Sequence, residues 1–339
     1  MTTYFRPLVR HEPVRPSGAV PIAGGSLWFD NAVEVARGTP PQVVPADALP
    51  KTWIDAISAP RPAIAGLSGS GCHVMGILNV TPDSFSDGGQ FQDTAAVAET
   101  ACTMLAAGAA LLDVGGESTR PGAETIPPEI EIQRTEPVIA ALSETGLGPI
   151  SIDTRKAAVA QAAAAAGAHL INDVSGLLYD PDMVSVCKST GLPVCVMHAQ
   201  GTPETMQDDP RYDDVVLDVY DWLQDRITTL EAQGIPRDRI IADPGIGFGK
   251  TLAHNLRLLE ALPMFHGLGV TLMLGASRKG FIGKIAGVTE ARDRMPGSVA
   301  AAIAGAAAGV QVLRVHDVAA TCQALRVWQA INGGGANVA

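Results

Sequence analysis

The sequence has little that would tie it to a membrane, to nucleic acid or to an oxidising compartment. No stretch reaches the ~18 consecutive apolar residues of a membrane-spanning helix. Arg6, Arg10 and Arg15 sit near the start, but Glu12 and several prolines interrupt them and no apolar h-region follows, so a signal peptide is not expected. The five cysteines are scattered without a C-x-x-C pair, which argues against a disulfide framework and for thiols in a reducing compartment. Basic residues are in deficit: a net charge of −11 excludes a broad surface for nucleic acid or anionic lipid. A few local arginines can still hold a phosphorylated substrate. The cytoplasm is the expected location.

Aromatics are also scarce, at 4 % of residues, whereas 47 % are hydrophobic and much of that is alanine. That mix suits small-residue helices packed closely on a sheet. A chain of 339 residues accommodates one α/β barrel of about 250 residues, large enough to bury a core without disulfides or structural metal.

Residues 1–70 are proline-rich and weakly periodic, with a helical hint near Pro50–Ile57, and read as an irregular extension of unknown role. Residues 71–335 alternate strand and helix signals. Apolar, β-branched runs occur at 74–79, 110–114, 149–153, 169–173, 193–197, 239–243, 270–275 and 311–315. The clearest helix is 213–233, where Val216, Val219, Leu223, Ile227 and Leu230 recur at three- and four-residue steps. Aspartates suit its positive start, and Gly234 with Pro236 stops it. The alanine-rich 157–166, followed by Gly167, is a second helix. Eight such units predict a parallel sheet closed into a (β/α)₈ TIM barrel, with an open doubly wound sheet as the alternative topology.

Nearly every strand ends in a polar group: Asn79, Asp113, Asp153, Asn172, His198, Asp243, Ser277 with Lys279, and Arg314 with His316. A ring of that kind at the C-terminal ends of barrel strands is where active sites form, and burying it is unfavourable unless partners or a ligand satisfy it. Asp153, Asn172 and Asp243 suit the N–H edge of a nitrogen heterocycle, which one carboxylate can grip bidentately. Arg120, Arg314 and His316 suit phosphates. Asp113 either meets substrate or shapes the site by holding arginines. His198, His169, His254 and His266 read as structural or surface residues. The stretch GIGFGKT resembles a P-loop, but that motif needs glycine at 244, where Pro244 stands.

The motifs MGILNVTPDSFSDGG (75–89), LLDVGGESTRPG (111–122), SIDTR (151–155), INDVSG (171–176), VMH (196–198), DPGIGFGK (243–250), GASRKGFIG (275–283) and RVHDV (314–318) together resemble the dihydropteroate synthase family. The resemblance covers roughly residues 73–332 and is silent on the extension. It implies a transferase of folate biosynthesis, of a family that is a sulfonamide target, that joins 6-hydroxymethyl-7,8-dihydropterin pyrophosphate to p-aminobenzoate and releases pyrophosphate. It implies that Asp153, Asn172, Asp243, Lys279, Met197 and Phe248 bind the pterin. Asn79, Arg120, Arg314 and His316 would hold the pyrophosphate, with Asn79 on a Mg²⁺ ion. Thr119, Ser277, Lys279, Phe85 and Pro121 would frame p-aminobenzoate, and Asp153, Lys279, Arg314 and Asp87 would carry the catalysis. Asp87 belongs to the loop 82–92, whose Gly88 and Gly89 permit movement. The family also implies a homodimer.

Two other classes compete. A pterin-binding methyltransferase domain shares the barrel but needs a corrinoid partner, and has no pyrophosphate for SRKG, RVHDV and GESTRPG to anchor. A non-catalytic pterin-binding paralogue would be marked by loss of Asp153, Lys279 or Arg314, all of which are present.

Overall fold

The computed structural model describes residues 2–80, 90–118, 125–201 and 205–333. Its N-terminal part contains β1 (Thr3–Pro7), β2 (Val20–Pro21), β3 (Trp28–Phe29), β4 (Asn31–Ala36), β5 (Thr39–Pro45) and α1 (Lys51–Ser58). The barrel then runs β6 (His73–Asn79), α2 (Gln90–Ala107), β7 (Leu111–Gly115), α3 (Pro128–Thr145), β8 (Ile150–Asp153), α4 (Ala157–Ala165), β9 (Leu170–Asp173) and α5 (Met183–Thr190). It continues with β10 (Val194–Met197), α6 (Val215–Ala232), β11 (Ile240–Asp243), α7 (Leu252–Glu260), β12 (Thr271–Leu274), α8 (Gly280–Ala286), α9 (Met295–Ala307), β13 (Val312–Val315) and α10 (Val318–Asn332). Strands β6 to β13 pair in parallel in chain order, and β13 returns to β6, so the sheet is closed. The open-sheet alternative is thereby excluded.

Strand periodicity places the site. Side chains alternate across a strand, so residues two apart share the barrel interior. Met75, Leu111, Leu170, Cys195, Ile241, Met273 and Val312 form one apolar cluster inside the barrel. Two residues further along their strands stand Ile77, Asp113, Asn172, Met197, Asp243, Gly275 and Arg314, and Asp153 follows Ser151 in the same way. The interior therefore changes from apolar to polar within one step of the pleat, toward the C-terminal strand ends.

The other end of the barrel is closed by the chain that precedes β6. Ile64, Ala65 and Leu67 belong to the same interior cluster, and a backbone bridge between Ile64 and Leu67 folds them into a plug. Truncating Leu67 to alanine is expected to destabilise the barrel by about 2–4 kcal/mol through the cavity it leaves. Activity per folded molecule should stay unchanged, because the site lies at the opposite end. Urea unfolding combined with a specific-activity measurement checks this, and a lost activity in a fully folded variant would contradict it.

The extension is not irregular, contrary to the sequence expectation. β1, β4 and β5 form a three-stranded antiparallel sheet in which Ala36 pairs with Thr39 across a two-residue connection, Arg37–Gly38. Its own small core contains Phe5, Ile22, Phe29, Ala32 and Ile57. Pro40, Pro41 and Pro45 lie on β5, which is almost wholly exposed at the sheet edge. Proline is tolerated at such an edge because no ladder donor is needed there, and this hid the strand from its composition. The Tyr4 hydroxyl donates to Asp221 at 2.7 Å, Arg37 pairs with Asp218 at 2.6 Å and Asp221 at 2.9 Å, and Trp53 stacks on Tyr220 at 5.6 Å. These contacts fix the extension on α6.

Helix limits follow the local chemistry. α6 starts at Val215 because the Asp214 carboxylate caps it, accepting from the N–H groups of Val216 and Leu217. Gly167, at φ +108, ends the alanine-rich stretch in a conformation that L side chains rarely adopt.

Candidate active site

At the C-terminal strand ends, four of the ring residues form one bonded cluster. The Arg314 guanidinium donates from Nε to Asp113 Oδ2 and from Nη2 to Asp153 Oδ2, both at 2.6 Å. The Asn172 amide donates to the same Asp113 oxygen at 3.0 Å. Asp113 is fully buried, Asn172 is buried, and the Asp153 residue is 8 % exposed. Asp113 therefore holds Arg314 and Asn172 in place, so it shapes the site through the strand-end arginine.

One guanidinium between two buried carboxylates cannot compensate both. Burial pushes the Asp153 carboxyl up to about 7; Arg314 pulls it down, and the neighbouring Asp113 charge pushes it up again. Arg314 is held firmly charged by the same two carboxylates. The second oxygen of each carboxylate, Asp113 Oδ1 and Asp153 Oδ1, is buried and meets no hydrogen-bond partner among the described residues. Such atoms are uncommon in folded proteins and mark a place where a ligand donor fits.

Around this cluster the ring continues. Asp243 Oδ1 accepts the Gly245 N–H at 2.7 Å. Burial raises its carboxyl above the ordinary range, against the opposing pull of that N–H and of Lys279. A Cβ on Gly275 would stand 3.5 Å from Asp243 Oδ2, so the glycine keeps the ground beside that carboxylate clear. The Lys279 ammonium lies 3.9 Å from the centroid of the Phe248 ring, a cation–π contact that aligns both. Met197 is buried and sits in register with Asp243. Ser277 Oγ accepts the His316 N–H at 3.2 Å and lies 3.0 Å from His316 Nδ1. Asn79 Oδ1 and Asp153 Oδ2 each lie 3.7 Å from the place a Cβ would occupy on Gly115. Asn79 and Asp153 thus face each other across a bare glycine.

The turn 275–280 has a strained centre. Arg278 adopts φ +57, unfavourable by about 1–2 kcal/mol for a residue with a Cβ. Its Nε and Nη2 grip Asp317 at 3.0 and 2.5 Å, and its N–H donates to Ser298 Oγ at 2.8 Å. These bonds hold Ser277 and Lys279, on either side, in their places.

His198 is neutral: burial and the nearby Lys250 push it down to about 2. The Lys250 ammonium faces His198 Nδ1 at 2.9 Å and donates to the His198 and Phe248 carbonyls at 3.3 and 3.0 Å. Lys250 thus braces the turn that carries Phe248. Burial lowers it to about 7. Its inward bonding also agrees with rejecting a P-loop.

Phe85, Asp87, Thr119, Arg120 and Pro121 lie outside the described residues. Sequence reasoning missed the bracing roles of Lys250 and Arg278 and a buried charge cluster around Lys156. No local signal marks them, because their partners are distant in sequence. Among the described residues no three His, Cys, Asp or Glu side chains converge on a metal position, and no helix is long and apolar enough to cross a membrane.

A parallel eight-stranded barrel whose mouth gathers carboxylates, an amide, a lysine and an arginine has the makings of a pterin-binding enzyme. The family model described as "Pterin binding enzyme" matches residues 75–316, and the extension lies outside it. The dihydropteroate synthase of Escherichia coli K12 is 46 % identical over 258 residues, covering 76 % of this chain and 91 % of that protein. The Xanthomonas albilineans dihydropteroate synthase solved with 4-aminobenzoic acid superposes with a TM-score of 0.73 at 47 % identity, covering 77 % of this chain and 93 % of the other. A structure of the synthase from that organism in complex with 7,8-dihydropteroate gives a TM-score of 0.70 at 44 % identity, with 77 % and 94 % covered. The chain belongs to the dihydropteroate synthase family.

Proposed function

We propose that this chain condenses 6-hydroxymethyl-7,8-dihydropterin pyrophosphate with p-aminobenzoate, giving 7,8-dihydropteroate and pyrophosphate. The observation that carries the reading is the Asp113–Arg314–Asp153–Asn172 cluster, with its unpartnered Asp153 oxygen at the barrel mouth. It supports a site for a planar heterocycle rich in N–H donors, in a chain of the synthase family.

In this reading Asp153 Oδ1, Asn172 and Asp243 take the edge of the pterin, with Met197 and Phe248 as apolar walls. Lys279, aligned on Phe248, lies between pterin and arylamine. Ser277 and His316, joined through one hydroxyl, are shared between the arylamine and the anion. Thr119, Arg120, Pro121, Phe85 and Asp87 complete the arylamine and pyrophosphate sides.

The carbon–oxygen bond breaks with its electron pair leaving on pyrophosphate, and the methylene cation delocalises into the dihydropterin ring. The arylamine nitrogen then bonds to that carbon and gives up a proton. The residues have two electrostatic tasks. Ionised Asp153 opposes the growing positive charge. Arg314, whose Nη1 is not engaged by any described residue, and His316 receive the leaving anion. The arylamine is a neutral nucleophile at pH 7, so no strong base is required.

The donor set fits Mg²⁺. Asn79 supplies a hard amide oxygen beside Asp153, and a magnesium ion that keeps waters and binds pyrophosphate oxygens needs few protein ligands. When bound, the ion would neutralise charge on the leaving pyrophosphate. The same reading makes the protein a cytoplasmic homodimer. Exposed Ile285 on α8 and exposed Val327 and Ile331 on α10 offer apolar surface for an assembly. A monomer mass by light scattering contradicts that part.

Because the Asp153 carboxyl sits at about 7, kcat/KM for the pterin substrate should fall tenfold per pH unit below about 7, as the carboxylate is protonated. A profile flat from pH 8 to 5 would contradict this. The activity itself is tested by mass spectrometry of the reaction mixture. Dihydropteroate formation, abolished competitively by a sulfonamide, supports the synthase. Tight pterin binding without product would return the reading to the methyltransferase or the non-catalytic paralogue.

A further inference from the structure

β8 ends at Asp153, and the chain goes on through Thr154 to Arg155 and Lys156, neither of which has a place in the chemistry above. Lys156 is only 4 % exposed. Its ammonium donates to Glu117 Oε2 and Glu131 Oε2, both at 2.6 Å, and to the Ile126 carbonyl at 2.8 Å. Glu117 Oε2 also accepts the Ile126 N–H at 2.9 Å. Arg155 donates from Nε to Glu117 Oε1 at 3.1 Å and from Nη2 to Thr125 Oγ1 at 2.9 Å. The Arg155 guanidinium lies 4.1 Å from the centroid of the Tyr179 ring, which restrains it further.

Glu117 stands just before residues 119–124, and Thr125 and Ile126 stand just after them. All three are tied to Arg155 and Lys156, two to three residues from Asp153 along the chain; the Glu117–Lys156 bond is buried and the Thr125 bond lies at the surface. Two carboxylates and two cations balance in charge. Buried ion pairs of this kind give little net stability over an apolar replacement, so fold stability alone does not account for them. What the cluster achieves is geometric: it joins both ends of one connection to the strand end that carries Asp153.

We propose that Glu117, Arg155 and Lys156 are positioning residues that fix the ends of the 119–124 connection against the Asp153 strand end, and so set the arylamine side relative to the pterin side. The proposal rests on the synthase reading, in which Thr119 and Pro121 serve p-aminobenzoate and Arg120 the pyrophosphate.

Lys156→Met would leave the buried Glu131 without its cation and Glu117 with Arg155 alone, so Arg155→Met carries the test. It removes the Thr125 bond, one Glu117 bond and the Tyr179 contact, while Lys156 still bonds to both carboxylates. The KM for p-aminobenzoate should rise about tenfold, since misplacement remote from the reacting atoms is enough to slow an enzyme. The Kd for 6-hydroxymethyl-7,8-dihydropterin, which has no pyrophosphate and is held by Asp153, Asn172 and Asp243, should stay at the wild-type value. The thermal midpoint should stay there too, and Arg155→Lys should recover part of the loss. An unchanged KM overturns the proposal. So does a parallel loss of pterin affinity and thermal midpoint, which would make the cluster merely structural. If the synthase reading is itself wrong, the unaltered protein makes no dihydropteroate, and that separates the two failures.

Discussion

Asp153→Asn is expected to lower kcat by about 10²–10³-fold, the range seen when one preorganised charge-stabilising group is removed. The amide keeps the shape of the carboxylate but not its charge. With its oxygen turned toward Arg314 Nη2, as the carboxylate has it at 2.6 Å, its NH₂ group faces the pterin edge and meets donors with donors. Folding should respond in the opposite sense. The folded state holds the Asp153 proton up to about 7, whereas an exposed aspartate releases it near 3.8. The folded form therefore binds more protons between those values, and wild-type stability falls as pH rises through that window. Asparagine has no charge to bury, so the variant should match or exceed the wild-type thermal midpoint at pH 8 and lose that advantage at pH 4. Steady-state kinetics with melting curves at both pH values check the two halves separately. Unchanged turnover refutes the electrostatic role, and a collapsed midpoint at pH 8 refutes the sign.

Arg314→Ala should act on both binding and folding. It removes an anion ligand, and affinity for the pyrophosphorylated pterin should fall at least tenfold while the unphosphorylated pterin loses much less. It also leaves Asp113 and Asp153 buried without their shared cation. Loss of one partner from a buried pair destabilises by about 3–5 kcal/mol, and the lower end applies here because the arginine side chain is 19 % exposed. The penalty should shrink below pH 6, where the Asp153 carboxyl, raised by burial to about 7, protonates and no longer needs a counter-charge. Calorimetric titration with the two pterins and denaturant unfolding at pH 8 and 5.5 measure these effects. Equal weakening for both pterins contradicts the anion site. A pH-independent penalty contradicts the shared-cation account.

The barrel was legible because its physics is local. Strands covered on both faces read as short continuous apolar runs, and all eight lie within a residue or so of their expected limits, as with 239–243 against Ile240–Asp243. The polar ring was legible because strand periodicity puts a polar residue two steps after an apolar one. The extension was read as irregular because Pro40, Pro41 and Pro45 conceal an edge strand, and the two-residue Arg37–Gly38 connection is a weak signal beside them. Pairings across the barrel were beyond reach for a different reason. Arg314 meets Asp113 and Asp153 from 201 and 161 positions away, and only closure and register decide which oxygen it finds. The brace of Lys250 on His198 and the tie between Lys156 and Glu117 follow the same rule: residue type was visible, the partner was not.

The most direct test of the site's assignment is pyrophosphate release by the purified protein, given the pterin pyrophosphate and Mg²⁺, with and without p-aminobenzoate. The account predicts release that p-aminobenzoate stimulates, matched one for one by dihydropteroate and nearly abolished in Asp153→Asn. Pterin binding with no release under either condition would contradict it.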